Sequence, residues 1–253
     1  MPEFKLGKLP ARPDAVTFKF SKYIIKRALP KPPASFGHET LIPPNAWKVL
    51  GNNRWGDCVF AGAAHETMLW NKIAGRIVTF TDQAVLSDYS KVTGFDPKHP
   101  DTDQGTDMGM AASFRRKTGV IDSKGVRHKV AAYVSLKAGD LTELWQASYL
   151  FNQIGVGIEF PDYAMDQFNA GKIWDVKSRG SIEGGHYIPG NARRDGNLKL
   201  VTWGREHAMT PRFYSKFNDE TVAYISEEAM ISHKSAEGFD YAALMKDLQA
   251  LGA

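Results

Sequence analysis

Cys58 is the only cysteine among the 253 residues, and it follows a Gly-Asp pair in the stretch "WGDCVFAGAAH". A lone cysteine suits three roles: a buried apolar side chain, a redox or metal-binding thiol, or a nucleophile. Asp57 is a favourable N-cap residue, so we expect a helix to begin at Cys58. The positive end of the helix dipole favours the thiolate, and Gly56 lets a substrate approach closely. The position therefore favours a nucleophile.

A nucleophilic cysteine needs a base, and the chain offers seven histidines. His65 shares the predicted helix with Cys58, but seven helical residues separate them by about 10 Å along the axis. We therefore expect His65 in the core or in the wall of a cleft. His186 stands in "IEGGHYIPG", where two glycines precede it and a short apolar strand follows. This context orients an imidazole while leaving it open to a cleft, so His186 is the predicted base. Surface positions are expected for four others: His99, His128, His207 and His233.

The elements that must position these two side chains follow a helix-then-strand order. The first half predicts helices at Cys58, at "TDQAVLSDYSKVTG" with Thr81 as the cap, and at "MGMAASFRRKTG". The second half predicts strands at "HKVAAYVSL", "VGIEF", "GHYIPG", "LKLVTWG" and "ETVAYIS", with helices at "DLTELWQASYLFNQIG" and "FDYAALMKDLQAL". In the proline-rich first 50 residues, "AVTFKFSKYII" predicts one strand. This order indicates an α+β fold in which a helical lobe and a sheet lobe meet in a cleft.

The composition excludes several function classes. With 43% hydrophobic and 24% charged residues, the chain is typical of globular proteins, and no apolar run approaches the roughly 20 residues of a membrane span. One cysteine cannot form an internal disulfide, and no thiol cluster offers a zinc site. The first residues lack the apolar stretch of a secretory signal. We expect a cytoplasmic protein with no cofactor, no metal and no membrane partner, and no motif indicates a nucleic-acid partner.

The positive charge is concentrated at the N-terminus. The net charge is +4, yet residues 1–31 alone hold eight lysines and arginines against two acidic residues. Such an arm suits an acidic partner or nucleic acid, but a solvated segment along the protein body is the preferred interpretation.

Four segments occur in the order found in papain-like cysteine peptidases, and the chain resembles a divergent member of that fold. "NNRWGDCVFAGAAH" resembles the nucleophile segment, and "DQGTDMGMAASFRRKTGV" resembles the family's glycine loop, helix and Gly-Val pattern. "GGHYIPG" resembles the histidine strand, and "LVTWG" resembles the strand that ends in Trp-Gly. His186 follows Cys58 by 128 positions, near the family's separation. The resemblance implies an N-terminal arm over residues 1–46 and one domain over 47–253, with a helical lobe at about 47–120 and an antiparallel sheet lobe at about 121–253.

The resemblance also implies roles for site residues. Cys58 would attack a carbonyl carbon, and His186 would act as the base and later as the proton donor. Asn52 stands six residues before the cysteine, where the family has a glutamine that helps to hold the oxyanion. Its side-chain amide would share that role with the Cys58 backbone N–H, or Asn52 would merely shape a turn with Gly51.

The third member of the family's triad is absent from its expected place. Aligning Trp203 with the family's Trp-Gly pattern puts Val201 where an asparagine orients the histidine, and valine cannot accept an imidazole N–H. Three residues near this position carry a side chain that could accept it instead, namely Thr202, Asn191 and Asp195.

Three functions follow from this pattern. The preferred one is a cysteine-nucleophile hydrolase of peptide or amide bonds that acts on a peptide or protein substrate through a thioester. Val201 favours instead a decayed scaffold, phage-encoded or bacterial, that serves as a structural or binding protein. An acyltransferase or transglutaminase uses the same Cys–His chemistry with an amine in place of water. The N-terminal arm would then be an inhibitory segment or a docking arm for a partner.

An acidic loop, "FDPKHPDTDQGTD", follows the second predicted helix. Its carboxylates are oxygen donors of the kind that Ca²⁺ prefers, but their spacing does not match an EF-hand. A solvated or cleft-lining loop is therefore the preferred interpretation of Asp96, Asp101, Asp103 and Asp107.

Overall fold

The first half of the chain forms the three predicted helices. In this computed structural model, which describes residues 4–12, 14–25, 28–226, 228 and 239–250, they are α1 (Cys58–Ile73), α2 (Asp82–Thr93) and α3 (Met108–Lys117). The Thr81 hydroxyl caps α2 by accepting the Ala84 N–H at 3.2 Å, and α2 ends at Gly94, whose φ is +80°. Helix α1 is buried from Cys58 to Asn71, as its apolar residues on both faces predict.

The strands are β1 (Phe36–Gly37), β2 (Val120–Ile121), β3 (Arg127–His128), β4 (Val130–Leu136), β5 (Ile154–Pro161), β6 (Ile182–Arg194), β7 (Asn197–Thr202), β8 (Arg205–Met209) and β9 (Asn218–Ser226). The second half forms a sheet in which every pair of neighbouring strands is antiparallel, in the order β4-β9-β5-β6-β7-β8, with β1 beside β6. Strands β2 and β3 pair only with each other, in a separate two-stranded sheet. The remaining helices are α4 (Leu141–Phe151), α5 (Asp162–Asn169), α6 (Pro211–Phe217) and α7 (Tyr241–Ala250). The five predicted strands and two predicted helices of this half are present, while the short strands β2 and β3 and the elements β8, α5 and α6 were not predicted.

The sheet separates two hydrophobic cores. Tyr187 and Val201 face the core that contains α1. Their strand neighbours Ile188 and Leu200 face the core that contains α4, α5 and α6. Successive side chains of a strand point to opposite faces, so one sheet closes both cores. The fold is α+β with a helical lobe against a sheet lobe, which confirms the predicted fold class.

The N-terminal arm lies against the body of the protein. The predicted position along the body is correct, but the segment is not simply solvated, because Val16, Phe20 and Tyr23 are buried. The strand predicted from "AVTFKFSKYII" is wrong, because this stretch contains a 3₁₀ helix at Phe20–Lys22 and only isolated bridges. Phe20 and Tyr23 turn together into the core that contains α4, and a strand would have sent one of them to solvent.

None of the helices in the described ranges combines the length and the apolar character that crossing a membrane requires.

Candidate active site

Cys58 is the first residue of α1 and is only 2% exposed. The loop before it is held by Asp103, whose carboxylate accepts the Gly56 N–H at 2.9 Å. The Asp57 carbonyl accepts the N–H groups of Phe60 and Ala61, so Asp57 does occupy the N-cap position. Its side chain does not cap the helix, contrary to prediction; it is fully buried, and burial raises the pKa of its carboxyl well above the usual value.

Helix α1 brings the sulfur of Cys58 against strand β6. The backbone N–H of Tyr187, part of the peptide bond that His186 begins, favours the Cys58 thiolate, and so does the N–H of Gly7. Burial outweighs both and raises the pKa of the Cys58 thiol to about 12. In this closed state Cys58 is therefore a neutral thiol next to the backbone of His186.

A buried ionic group holds α1 on β6. Gly62 lies so close beneath Tyr187 that a Cβ there would be 2.4 Å from the tyrosine ring. The Tyr187 hydroxyl donates to Glu66 at 2.8 Å, and Arg115 of α3 pairs with Glu66 at 2.6 Å. The sequence analysis did not predict this group. Glu66 and Arg115 stand among apolar residues of two helices, and that pattern was a usable signal. It sets the distance between the cysteine helix and the histidine strand.

His186 is oriented by Thr202. The Nε2 atom of His186 lies 2.7 Å from the Thr202 hydroxyl, and Trp203 stacks on the imidazole with ring centroids 4.4 Å apart. Burial, with 1% exposure, lowers the pKa of His186 to about 3, so the ring is neutral. With Nε2–H donating to Thr202, Nδ1 carries the lone pair of a base, and this buried Nδ1 makes no hydrogen bond.

The face of the strand explains why Thr202 and not Val201 reaches His186. Val201 points to the core that contains α1, and Thr202 points to the opposite face. Trp203 and Gly204 then form a two-residue turn with φ values of +46° and +72° between paired Thr202 and Arg205. The sequence signal that could have selected Thr202 was the Trp-Gly pair, because a two-residue turn at that pair makes Thr202 the last residue of its strand.

Asn191 and Asp195 do not orient the imidazole. The buried Asn191 side-chain amide makes no hydrogen bond, and Asp195 lies in the turn after β6. Of the three residues considered from the sequence, Thr202 is therefore the one that contacts His186.

Asn52 has one amide hydrogen directed at a carbonyl in the cleft. Its Nδ2 donates to the Trp55 carbonyl at 2.9 Å and to the Lys5 carbonyl at 3.2 Å. The first bond fixes the amide, and the second shows where the side chain can hold a carbonyl oxygen of a bound chain. The bond to Trp55, three residues along the chain, fits the alternative in which Asn52 shapes the turn, and the oxyanion role of Asn52 stays a prediction.

Residues 4–12, called here the cleft segment, lie across Cys58. The Gly7 N–H donates to the Gly185 carbonyl at 3.1 Å, and the Gly7 carbonyl accepts the Thr106 N–H at 2.7 Å. A Cβ on Gly7 would lie 1.9 Å from the Gly56 carbonyl oxygen. Thus the cleft segment passes between Gly56 and Gly185, and the Gly7 N–H is one of the groups that favour the Cys58 thiolate.

The remaining histidines are not catalytic neighbours. His65 is buried, its Nε2 lies 2.8 Å from the Lys48 carbonyl, and burial lowers its pKa to about 4, so the core position predicted for it is correct. The predicted surface position of His207 is wrong, because it packs on Trp174 with ring centroids 4.7 Å apart. His128, predicted at the surface, is half-buried and pairs with the carboxylates of Asp122 and Glu228. His99 is exposed, as predicted. His233 lies outside the described residues.

The acidic loop lines the cleft, as the preferred interpretation predicted. Asp103 holds Gly56, Asp107 caps α3 and binds Arg12, and Thr106 pairs with the cleft segment. In the part of the chain that the structure describes, no three His, Cys, Asp or Glu side chains are placed to hold a metal ion.

Comparisons with known proteins find similarity in structure alone. No family model matches the chain, and no curated protein matches it in sequence. Xylellain, a cysteine protease from Xylella fastidiosa, superimposes with a TM-score of 0.65 over 88% of this chain and 96% of that one, at 13% identity. Procathepsin B S9 from Trypanosoma congolense has a TM-score of 0.61 over 87% and 86%, at 13% identity. A Carica candamarcensis cysteine protease in complex with E-64 has a TM-score of 0.56 over 76% and 98%, also at 13% identity.

Proposed function

Because the chain has the papain-like cysteine protease fold, we propose that it is a cysteine peptidase whose nucleophile is Cys58 and whose base is His186. The observation that carries this proposal is the packing of helix α1, which begins at Cys58, against strand β6, which contains His186. Cys58 lies at the N-terminus of a helix against the peptide bond that follows His186, and Thr202 orients the imidazole with Nδ1 unpaired.

The reaction begins when Nδ1 of His186 removes the proton of the Cys58 thiol. The sulfur attacks the carbonyl carbon of a peptide bond, and the oxyanion accepts hydrogen bonds from Asn52 Nδ2 and the Cys58 N–H. The imidazolium of His186 then protonates the amine that leaves, which yields a thioester on Cys58. Water loses a proton to His186, attacks the thioester and releases the carboxylic acid and the free thiol.

The structure with the cleft segment in place is the latent form in this proposal. The cleft segment covers Cys58, and four of the similar structures carry the name of a proform, including a procathepsin L 3 of Tenebrio molitor larval midgut at 15% identity and a TM-score of 0.54 over 88% of this chain and 75% of that one. In the closed state both reacting groups are neutral, because burial raises the pKa of Cys58 and lowers that of His186.

Hydrolysis by a variant with an open cleft tests the proposal. We expect Gly7→Ala protein to cleave a mixed peptide library, Cys58→Ser in the same background to cleave none of it, and mass spectrometry to detect an acyl adduct on Cys58. New amide products after addition of an amine would identify an acyltransferase. If iodoacetamide alkylates Cys58 of an open variant no faster than it alkylates free cysteine, the result would support the decayed scaffold instead.

Thr202→Val tests how the base is oriented. The change keeps the shape but removes the hydroxyl that bonds Nε2, and a lost buried hydrogen bond costs about 1–3 kcal/mol. In the Gly7→Ala background we expect kcat/KM to fall roughly 10- to 100-fold and the acidic limb of its pH profile to shift. Thr202→Ser keeps a hydroxyl and is expected to retain most activity. Equal rates for the valine and serine variants would contradict this role.

A further inference from the structure

The side chain of Lys8 fills a pocket beside the cysteine. Its side chain is 0% exposed, although lysine is rarely buried without a specific partner. Its ammonium lies 2.6 Å from Asp219 and 3.1 Å from Glu220, and it donates to the Leu9 carbonyl at 2.9 Å. Two carboxylates therefore surround a single ammonium at the end of the pocket.

The walls of the pocket fit an unbranched side chain. A Cβ on Gly157 would lie 2.2 Å from Cε and 2.8 Å from Cδ of Lys8, so the glycine leaves room for the alkyl stem. The Met108 sulfur lies beside the same spot, 2.9 Å from that Cβ position. An apolar tube that ends in two carboxylates matches the chemistry of lysine and arginine.

The backbone of Lys8 is held by groups that any extended peptide could use. The Lys8 N–H donates to the Gly185 carbonyl at 3.0 Å, and the Leu9 N–H donates to the Thr106 carbonyl at 3.0 Å. Neither contact depends on a side chain of the bound segment. Recognition at this position is therefore left to the pocket and to its charge.

We propose that Asp219 and Glu220 form the specificity pocket of the cleft, which selects peptide substrates that carry a lysine or arginine adjacent to the residue over Cys58. This inference rests on the proposed function, since it names the substrate class of the same site. Lys8 occupies the pocket from within the chain until a substrate with a basic side chain displaces it. An acidic pocket also explains why the segment that closes the cleft is basic.

Peptide binding tests the pocket without hydrolysis. Lys8→Glu places a third carboxylate next to Asp219 and Glu220 and should release the cleft segment. The probe is a fluorescein-labelled nonapeptide with the sequence of residues 4–12, and its partner has methionine in place of the lysine corresponding to Lys8. By fluorescence anisotropy, we expect the lysine peptide to bind Lys8→Glu protein at least about tenfold more tightly than the methionine peptide does. The preference should vanish when Asp219→Asn and Glu220→Gln are added.

A control and a second background separate the outcomes. Lys31→Glu changes the same charge at an exposed position of the arm and should leave the cleft closed to both peptides. If Lys8→Glu protein does not fold, Lys8→Ala removes the ammonium without adding charge and takes its place. If the open protein binds the lysine and methionine peptides with equal affinity, the proposal that Asp219 and Glu220 select a basic side chain is wrong.

Hydrolysis is a separate readout. In a mixed peptide library, open protein should cut at bonds with lysine or arginine at one fixed position, and Asp219→Asn/Glu220→Gln should lose that preference. Lysine-selective binding with no cleavage would retain the pocket and reject the peptidase. Cleavage with no basic preference would retain the peptidase and reject the pocket.

Discussion

Gly7→Ala is expected to make Cys58 react with iodoacetamide ~1000-fold faster at pH 8 than it does in the wild-type chain. The added Cβ would lie 1.9 Å from the Gly56 carbonyl oxygen and within 2.4 Å of two further backbone atoms of Gly56. Backbone cannot yield as a flexible side chain does, so the cleft segment must leave its place over the sulfur.

The size of this effect follows from the state of the thiol. Burial raises the pKa of Cys58 to about 12, so the closed protein holds almost no thiolate at pH 8. Exposure returns the pKa toward its unperturbed value of about 8.5, and the helix dipole and His186 favour a still lower value. The alkylation rate of the wild type should therefore keep rising above pH 9, while that of Gly7→Ala should level off at a lower pH.

Leu9→Ala is the matched control for this experiment. Leu9 belongs to the same segment, but its side chain is 39% exposed and its N–H bond to Thr106 does not depend on the side chain. We expect wild-type alkylation for this variant. A Gly7→Ala protein that alkylates as slowly as the wild type would show that the cleft segment is not what protects the cysteine.

Arg115→Met is expected to lower the free energy of unfolding by about 3–5 kcal/mol at pH 7, because it leaves Glu66 as a buried charge without its cation. Arg115 pairs with Glu66 at 2.6 Å, and its guanidinium lies 3.8 Å from the centre of the Tyr224 ring. Urea unfolding measures the loss. Lys117→Met removes the same charge at an exposed position of α3 and should change stability by no more than about 0.5 kcal/mol.

The pH dependence of the Arg115→Met loss has a defined sign. Burial already raises the pKa of Glu66, and Arg115 is the main influence that lowers it, so the variant raises that pKa further. A carboxyl with a raised folded pKa contributes most below its unfolded pKa of about 4.3, and that contribution is lost as the pH rises through its folded pKa. The difference in the free energy of unfolding between the wild type and Arg115→Met should therefore shrink as the pH falls from 7 toward 5. A deficit that does not change with pH would show that the ion pair is not its cause.

Adding Glu66→Leu to Arg115→Met should restore much of the stability, because no unpaired charge then remains. In the Gly7→Ala background, the single Arg115→Met variant should also slow alkylation of Cys58, because the Glu66 group sets how α1 lies on β6. This second readout distinguishes a positioning role from a purely structural one.

The local features of the chain were predictable from its residues. Helices α2 and α3 begin directly after their N-cap residues Thr81 and Asp107, because those side chains accept N–H groups of the first helical turn. The strands followed from apolar runs bounded by turn residues, and Cys58 and His186 were recognisable because glycines and a helix start are encoded within a few positions of each. Such signals act over short distances, so a single sequence carries them.

The tertiary structure decided which side chains meet. The sequence by itself determined a helix start at Cys58, a strand at His186 and a basic first segment. It could not determine that Thr202 shares a face with His186, because a shift of one residue in register reverses the face of every side chain. Nor could it place Gly7 on Cys58 or Lys8 on Asp219, since 211 positions separate the latter pair and only the closed sheet lobe brings them together. Whether the Cys58 thiol is reactive depends on the contact with Gly7, because burial is the largest of the causes that raise its pKa and keep it protonated.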